Sequence, residues 1–302
     1  MTIAEPGWLQ RGNAKQSYVI SLCAKLSLQP ARARLPGLLG DLIIEKQRTV
    51  NDRVAHFTVS TDAPGAWHLL QRLLAQLEQV DVLVQPENSP ALRLLVCDMD
   101  MTMVDAETLD EVAAMLGLSD KVAPITAAAM RGEIDFRESL EQRIGLLKGQ
   151  PVSLFDEVAQ QLRLMPGAEY LLSAAKASGM HCILVSGGFG EIAEPLARRL
   201  GFDEVYCNRL DLVQGRLSGR LQGDLVDAGY KAELMKRRSS ELGMTLSDCC
   251  AIGDGANDRL MLQAAGLGIA YFAKPALRAV SHCQINHSDL ETAWHFISAR
   301  SG

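Results

Sequence analysis

Several patterns that mark secreted, membrane-spanning or nucleic-acid-binding proteins are missing from this sequence. Its seven cysteines include no C-x-x-C pair, and their odd number leaves one over in any complete pairing, which favours buried thiols in a reducing compartment. The N-terminal stretch has no hydrophobic signal core, and no apolar run reaches the roughly 18 residues that a spanning helix needs. We therefore expect a soluble, cytoplasmic protein without membrane partners.

A net positive charge and metal-binding histidine patterns are absent as well. The formal net charge is -6, so no overall cationic field exists to hold a nucleic acid. None of the six histidines falls in an H-E-x-x-H or other close ligand pattern. What the chain does have is length and apolar material, with 302 residues of which 48% are hydrophobic. This predicts two domains, or one domain with a large insertion.

Residues 1–88 predict a small α+β domain. Apolar stretches at 18–22 and 56–59, a helical pattern at 67–77 and a short strand at 80–84 make up this unit. The segment 85–90 contains two prolines among polar residues, which predicts a linker. The unit faintly resembles an ACT domain, so an amino-acid-sensing role stays open, although we expect a structural or dimerising module in a homodimer.

Residues 89–302 predict an α/β domain with a doubly wound parallel sheet. Short apolar runs of the buried-strand type alternate with helical patterns along this part of the chain. The runs lie at 92–97, 182–185, 249–252 and 267–272, and the helices at 167–177, 191–200, 230–242 and 259–265. The long helical stretch of about 105–165 interrupts the alternation and predicts an inserted helical cap. Segments 210–213 and 216–219 flank Gln214-Gly215 and predict a hairpin.

Two carboxylates follow the first strand of this domain. Asp98 and Asp100 are two residues apart, so an extended chain points both to the same side. Two carboxyl groups in different environments can have different catalytic roles: one attacks as a nucleophile, and the other holds a proton for a leaving oxygen. Without the other motifs, this pair would indicate only a turn or a helix N-cap.

Two more polar clusters follow strands in the same way. Ser186-Gly187-Gly188 offers a hydroxyl and open backbone N–H groups to an oxyanion, although alone it would be a flexible turn. The 253–258 loop brings Asp254 to a strand end, and its spacing does not fit a calcium loop. Lys231 is the candidate for a fixed positive charge on a phosphoryl group; alone it would be a solvated lysine. Parallel sheets gather such strand ends at one edge.

Together these motifs resemble the haloacid dehalogenase-like hydrolase superfamily. The resemblance is carried by Asp-x-Asp-x-Thr at 98–102, Ser186, Lys231 and Gly-Asp-Gly-x-Asn-Asp at 253–258. Within the superfamily, Val-Ser-Gly-Gly-Phe at 185–189, Cys-Asn-Arg-Leu at 207–210 and Met261 resemble the phosphoserine phosphatase family. The similarity extends from about residue 92 to the C-terminus and covers the N-terminal unit only loosely.

The resemblance implies a role for each matching residue. Asp98 would form an aspartyl-phosphate and Asp100 would act as acid and base. The implied cofactor is Mg2+, held by the Asp98 carboxylate, the Asp100 backbone carbonyl and Asp254. The implied phosphate and substrate ligands in the core domain are Ser186, Gly187, Lys231 and Asn257. The implied supporting residues are Thr102 and Asp258.

The cap would select the substrate in this family. Glu107 matches the glutamate that meets the substrate ammonium, and Arg143 matches the arginine that meets its carboxylate; a guanidinium fork suits a carboxylate well. Met130 and Phe136 match the apolar lining. Each has a simpler explanation, since Glu107 lies near a helix start and the others fit a solvated helix face or the cap core.

The expected activity is hydrolysis of O-phospho-L-serine to L-serine and inorganic phosphate, the last step of serine biosynthesis. Two alternatives remain within the same chemistry: transfer of the phosphoryl group to another alcohol such as homoserine, and hydrolysis of another small phosphomonoester. A third alternative, from a different class, is an amino-acid-binding regulator that senses its ligand through the N-terminal unit.

Overall fold

The computed structural model describes residues 16–40, 42–61, 71, 74–130 and 133–300. The helix predicted at 67–77 lies mostly outside these residues. Within them, an antiparallel sheet and a larger, mainly parallel sheet each carry their own buried apolar cluster. The α/β fold with an inserted helical segment and a small N-terminal α+β unit is therefore confirmed.

The N-terminal sheet has four antiparallel strands in the order β2-β3-β1-β4. Its elements are β1 Gln16–Ala24, α1 Gln29–Leu39, β2 Ile43–Thr49, β3 Val54–Thr61 and β4 Val80–Pro86. Inward-facing apolar side chains such as Ile20, Leu35 and Phe57 form its core. Strand β2 was not predicted, because every residue of this edge strand is exposed and its sequence lacks apolar alternation.

The second sheet has seven strands in the order β11-β10-β9-β5-β6-β7-β8, and only β8 pairs antiparallel to its neighbour. The central strand β5 is fully buried, which fits its continuous apolar sequence. The strands are β5 Leu94–Cys97, β6 His181–Phe189, β7 Glu204–Val213, β8 Arg216–Gln222, β9 Cys249–Gly253, β10 Leu267–Tyr271 and β11 Cys283–Ile285.

Helices connect these strands and form the cap. The cap region contains α2 Thr108–Met115, α3 Ser119–Met130, α4 Phe136–Leu146 and α5 Ser153–Gln161. The core helices are α6 Ala168–Ala177, α7 Gly190–Leu200, α8 Ala228–Glu241, α9 Arg259–Ala264, α10 Pro275–Arg278 and α11 Glu291–Ser298. Two single 3-10 turns, Leu246–Asp248 and Ala256–Asp258, flank β9.

The predicted hairpin is present as β7 and β8. Gln214 and Gly215 both have positive φ angles, 53° and 73°, as a tight two-residue hairpin turn requires. Strand β7 begins earlier than predicted, at Glu204, and its first half pairs parallel with β6. Strand β11 has only three residues and was not predicted, and helix α11 was not predicted either.

All seven cysteines are buried and none forms a disulfide, as the sequence predicted. None of the helices in the described part of the chain combines the length and apolar character that a bilayer-spanning segment requires. The domain boundaries, the homodimer and the sensing role of the N-terminal unit stay predictions.

A buried carboxylate joins the N-terminal sheet to the larger sheet. Asp81 of β4 is 2% exposed and accepts hydrogen bonds from the backbone N–H groups of Asn286 (2.7 Å) and Ser288 (2.8 Å). The Ser288 hydroxyl also donates to Asp81. Arg300 adds a second link, because its Nε donates to Gln85 Oε1 of β4 at 2.6 Å. The Asp81 contacts join the small sheet to the loop after β11, and the Arg300 contact joins it to the segment after α11.

We expect Asp81→Ala to lower the free energy of unfolding by about 2 to 4 kcal/mol, because several buried donors lose one charged acceptor. Urea denaturation followed by circular dichroism measures the change. Asp52→Ala, at an exposed position of the same unit, is the control and should change stability by less than about 0.5 kcal/mol. Equal stability of the two variants would contradict the assigned role of Asp81.

Candidate active site

The three polar clusters of the sequence meet at the carboxyl edge of the large sheet. Strand β5 lies between β6 and β9, so the residues that follow or end these three strands are neighbours. Asp98 follows β5, Ser186 lies in β6 and Asp254 follows β9. They line a pocket of about 810 Å³ between the sheet and the cap helices. Open α/β sheets place their ligands at this edge.

A buried lysine lies between two aspartates at the base of this pocket. The Lys231 Nζ is 2.7 Å from Asp98 Oδ1 and 2.8 Å from Asp258 Oδ1, and the lysine side chain is 0% exposed. Burial opposes the charged ammonium, but the two carboxylates outweigh it and raise the pKa of Lys231 above its ordinary value. The lysine is therefore charged at neutral pH and holds Asp98 in one position.

Asp98 and Asp254 fit a divalent cation. Oxygen atoms of Asp98, Asp254 and Asp258 all lie within 4.8 Å of one another. Asp258 already binds Lys231 and accepts the Gly255 N–H at 3.1 Å, which leaves Asp98 and Asp254 with the freer oxygens. Burial, then the Asp258 carboxylate, raise the pKa of Asp254 to about 7. A hard cation with oxygen ligands relieves this crowding of negative charge.

The backbone at Gly253 allows Asp258 to approach. A Cβ on Gly253 would lie 2.4 Å from Asp258 Cγ, closer than any side chain tolerates. The glycine is thus needed for close approach rather than for an unusual φ angle.

Asp100 has the environment of a proton donor. Its Oδ2 accepts the Thr108 backbone N–H at 3.2 Å and the Thr108 hydroxyl at 3.0 Å, whereas its Oδ1 is buried without a hydrogen-bond partner. Burial, and after it the Glu107 charge, raise the pKa of Asp100 to about 7, against the opposing effect of the Thr108 bonds. A carboxyl group of this kind can hold and release a proton near neutral pH.

The loop at the end of β6 offers donors to an anion. The pairing of β6 with β7 shifts register between Ser186 and Phe189, so Gly187 and Gly188 form a bulge. The Gly188 N–H donates to Ser186 Oγ at 2.8 Å, which leaves the serine proton for another acceptor. A Cβ on Gly188 would lie 2.8 Å from Met99 Cε and 3.1 Å from Ser186 Oγ, so a side chain here would have to displace the end of Met99.

The cap supplies the opposite wall. Glu107, Phe136 and Arg143 line the pocket, and a Cβ on Gly187 would be 3.3 Å from Phe136 Cζ. The Arg143 Nη1 is 4.0 Å from Asp110 Oδ1. Its Nε donates to the Ser139 carbonyl at 3.3 Å. A carboxylate, that of Glu107, and a guanidinium, that of Arg143, thus face the pocket from the cap, as a zwitterionic ligand requires.

The structure brings most of the predicted site residues together. Those lining the pocket are Asp98, Asp100, Glu107, Phe136, Arg143, Ser186, Gly187, Asp254 and Asn257. Those that are 0% exposed and do not line it are Thr102, Lys231 and Asp258. The phosphate contact of Lys231 that the resemblance implies stays a prediction; the structure places its Nζ 2.7 Å from Asp98 Oδ1. Met130 ends α3, and its side chain lies outside the described residues.

Several neighbours of the site were not predicted. Thr108 holds Asp100, Asp110 is close to Arg143, and Lys274 lines the pocket beside Asp254. Met101 directly follows Asp100 and has a φ of 54°, a left-handed conformation uncommon for such a residue. Two neighbours had a sequence signal: Met101 lies within the quoted motif at 98–102, and Asn208, which donates to the Gly187 carbonyl at 2.7 Å, lies within the motif at 207–210.

The profile of the haloacid dehalogenase-like hydrolase family matches residues 95–263, and the chain belongs to this family. It is 44% identical over 204 residues to the phosphoserine phosphatase of Lactococcus lactis, covering 68% of this chain and 94% of that one. It is 44% identical over 244 residues to the phosphoserine phosphatase SerB2 of Mycobacterium tuberculosis, covering 79% of this chain. The match spans only 60% of the length of SerB2.

A solved structure shows the same fold over about two thirds of the chain. It is described as the phospho-aspartyl intermediate analogue of phosphoserine phosphatase, and it superposes with a TM-score of 0.64 at 34% identity. The match covers 68% of this chain and 99% of that one.

Proposed function

We propose that this chain is a magnesium-dependent phosphatase that hydrolyses O-phospho-L-serine to L-serine and inorganic phosphate, the last step of serine biosynthesis. One observation carries the proposal: a single pocket has Asp98, Asp100 and the Ser186 loop on its core side and Glu107 with Arg143 on its cap side. The first set suits a phosphate ester and the second suits an amino acid. The names of the relatives in Lactococcus lactis and Mycobacterium tuberculosis support it.

The chemistry proceeds in two steps. An Asp98 carboxylate oxygen attacks phosphorus, the bond from phosphorus to the serine oxygen breaks, and Asp100 gives its proton to that oxygen. Asp100 then takes a proton from water, whose oxygen attacks the phosphorus and releases phosphate from Asp98. Thr108 holds one Asp100 oxygen, so the other, Oδ1, is available for both proton transfers.

Magnesium would be held by the Asp98 and Asp254 carboxylates together with the Asp100 backbone carbonyl that the resemblance implies. When bound, it supplies positive charge that offsets the charge of the phosphate oxygens. The Ser186 hydroxyl and the Gly187 N–H donate to the same oxygens, and Lys231 orients Asp98 from below. Phe136 covers Gly187 and helps to exclude water.

The substrate preference is proposed to depend on Arg143. We expect Arg143→Lys to lower kcat/KM for phosphoserine about 10- to 100-fold, because lysine lacks the guanidinium fork. O-phosphoethanolamine has no carboxylate, so its kcat/KM should change by less than about threefold. Initial rates of phosphate release measure both, and Arg220→Lys, at an exposed position outside the pocket, is the control.

An equal loss on both substrates would show that Arg143 serves the fold or the chemistry rather than the substrate carboxylate. The rival phosphotransferase is tested by adding homoserine and analysing the products, since transfer would form phosphohomoserine instead of free phosphate. A cytoplasmic location is part of the proposal, and the seven buried free cysteines support it.

A further inference from the structure

Asn208 is a buried amide that contacts two loops of the pocket without lining it. Its side chain is 1% exposed. The Nδ2 donates to the Gly187 carbonyl at 2.7 Å, and the Oδ1 accepts the Val226 N–H at 2.8 Å. Because one partner is an acceptor and the other a donor, only one orientation of the amide satisfies both.

The first contact bears on the loop that ends β6. Cys207 pairs with Ser186 and Asn208 pairs with Phe189, so Gly187 and Gly188 fall outside the regular ladder. The side chain of Asn208 supplies the donor to the Gly187 carbonyl at this bulge. A bulge held by a side chain keeps one conformation, whereas one without a partner is free to rearrange.

The contact fixes more than one carbonyl. The Gly187 carbonyl and the Gly188 N–H belong to one planar peptide group and point in opposite directions. With the carbonyl bound to Asn208, the N–H is directed onto Ser186 Oγ, which it meets at 2.8 Å. An oxygen that accepts this bond turns its own proton elsewhere. The chain of contacts therefore runs from Asn208 through one peptide group to the Ser186 hydroxyl.

The second contact bears on the start of helix α8. Val226 precedes Asp227, whose side chain caps the helix by accepting the Tyr230 N–H at 2.8 Å. Lys231, beneath Asp98, is in the first turn of the same helix. Asn208 thus connects the loop of Ser186, Gly187 and Gly188 to the helix that carries the buried Lys231.

We propose that Asn208 is a positioning residue that orients the Ser186 hydroxyl towards the phosphoryl group. The inference rests on the proposed function, in which Ser186 donates to a phosphate oxygen. Asn208 itself touches no substrate. Its effect on phosphate binding is therefore transmitted through Ser186. Removing Ser186 should abolish this effect, whereas a general effect of Asn208 on the fold would remain.

The test is a double-mutant cycle on binding of inorganic phosphate, measured by isothermal titration calorimetry on the full chain with magnesium present. We expect Asn208→Ala to weaken phosphate binding about tenfold in the wild-type background and less than about twofold in the Ser186→Ala background. Asn88→Ala, at an exposed position, should leave phosphate binding unchanged. Thermal unfolding of every variant records stability separately.

Asn208→Asp is the second variant, because it keeps the acceptor for Val226 and replaces the donor to Gly187 with a carboxylate oxygen, which also brings a negative charge. It should weaken phosphate binding at least as much as alanine with Ser186 present. Equal losses in both Ser186 backgrounds, or no loss from either variant, would overturn the inference while leaving the proposed function in place. A wild-type protein that binds no phosphate would overturn both.

Discussion

Replacing Asp98 with asparagine is expected to lower turnover by roughly 10,000-fold or more, because a neutral amide cannot form the covalent bond to phosphorus. The fold should survive. Asparagine has the same shape, and Lys231 keeps its contact with Asp258 at 2.8 Å. We expect the free energy of unfolding to stay within about 1 kcal/mol of the wild-type value. Phosphate-release rates and a urea titration give the two quantities.

Asp105→Asn is the matched control for this experiment. Asp105 lies seven residues further along the chain, is exposed and does not line the pocket. The same chemical change there should leave the rate within about twofold of wild type. Appreciable turnover by Asp98→Asn would exclude Asp98 as the nucleophile and leave the pocket with a different catalytic group.

Replacing Lys231 with methionine is expected to damage stability and activity together. The ammonium is the positive charge between Asp98 and Asp258, at 2.7 Å and 2.8 Å, and all three groups are buried. Removing it leaves two carboxylates without their counter-ion, which costs about 3 to 5 kcal/mol of unfolding free energy. Asp98 also loses the contact that orients it, so we expect turnover to fall at least about 100-fold.

Lys236→Met on the same helix is the control for the lysine. Lys236 is 65% exposed and its only ion pair among the described residues is with Glu233 at 3.8 Å. Such a surface pair contributes little, so this variant should differ from wild type by less than about 0.5 kcal/mol. If Lys231→Met were as stable as Lys236→Met, the buried lysine would not be the counter-ion that the structure indicates.

The sequence predicted the parts of this molecule that depend on local pattern. Runs such as 94–97 and 249–253 are continuous apolar segments ending in polar residues, and buried parallel strands have that form. Parallel strands end at one edge of a sheet, so the meeting of Asp98, Ser186 and Asp254 followed from strand type alone.

Contacts between residues far apart in the chain could not be predicted from the sequence. Lys231 carries no local sign that it is buried, since its partners are 27 and 133 residues away along the chain. The role of Asn208 depends on the bulge at Gly187-Gly188 in the neighbouring strand, and the glycine pair does not reveal which distant side chain contacts it. Asp81 likewise joins segments 207 residues apart. In each case a polar side chain is fixed by tertiary packing rather than by its neighbours in the chain.

The most direct measurement is phosphate release from O-phospho-L-serine, with magnesium and after its removal by a chelator, beside a panel of other small phosphomonoesters. We expect turnover that needs magnesium and strongly prefers phosphoserine over phosphoethanolamine. Equal activity on all the phosphomonoesters would contradict the proposal that Glu107 and Arg143 bind the amino-acid end of the substrate. No release from phosphoserine under any condition would contradict the proposed function itself.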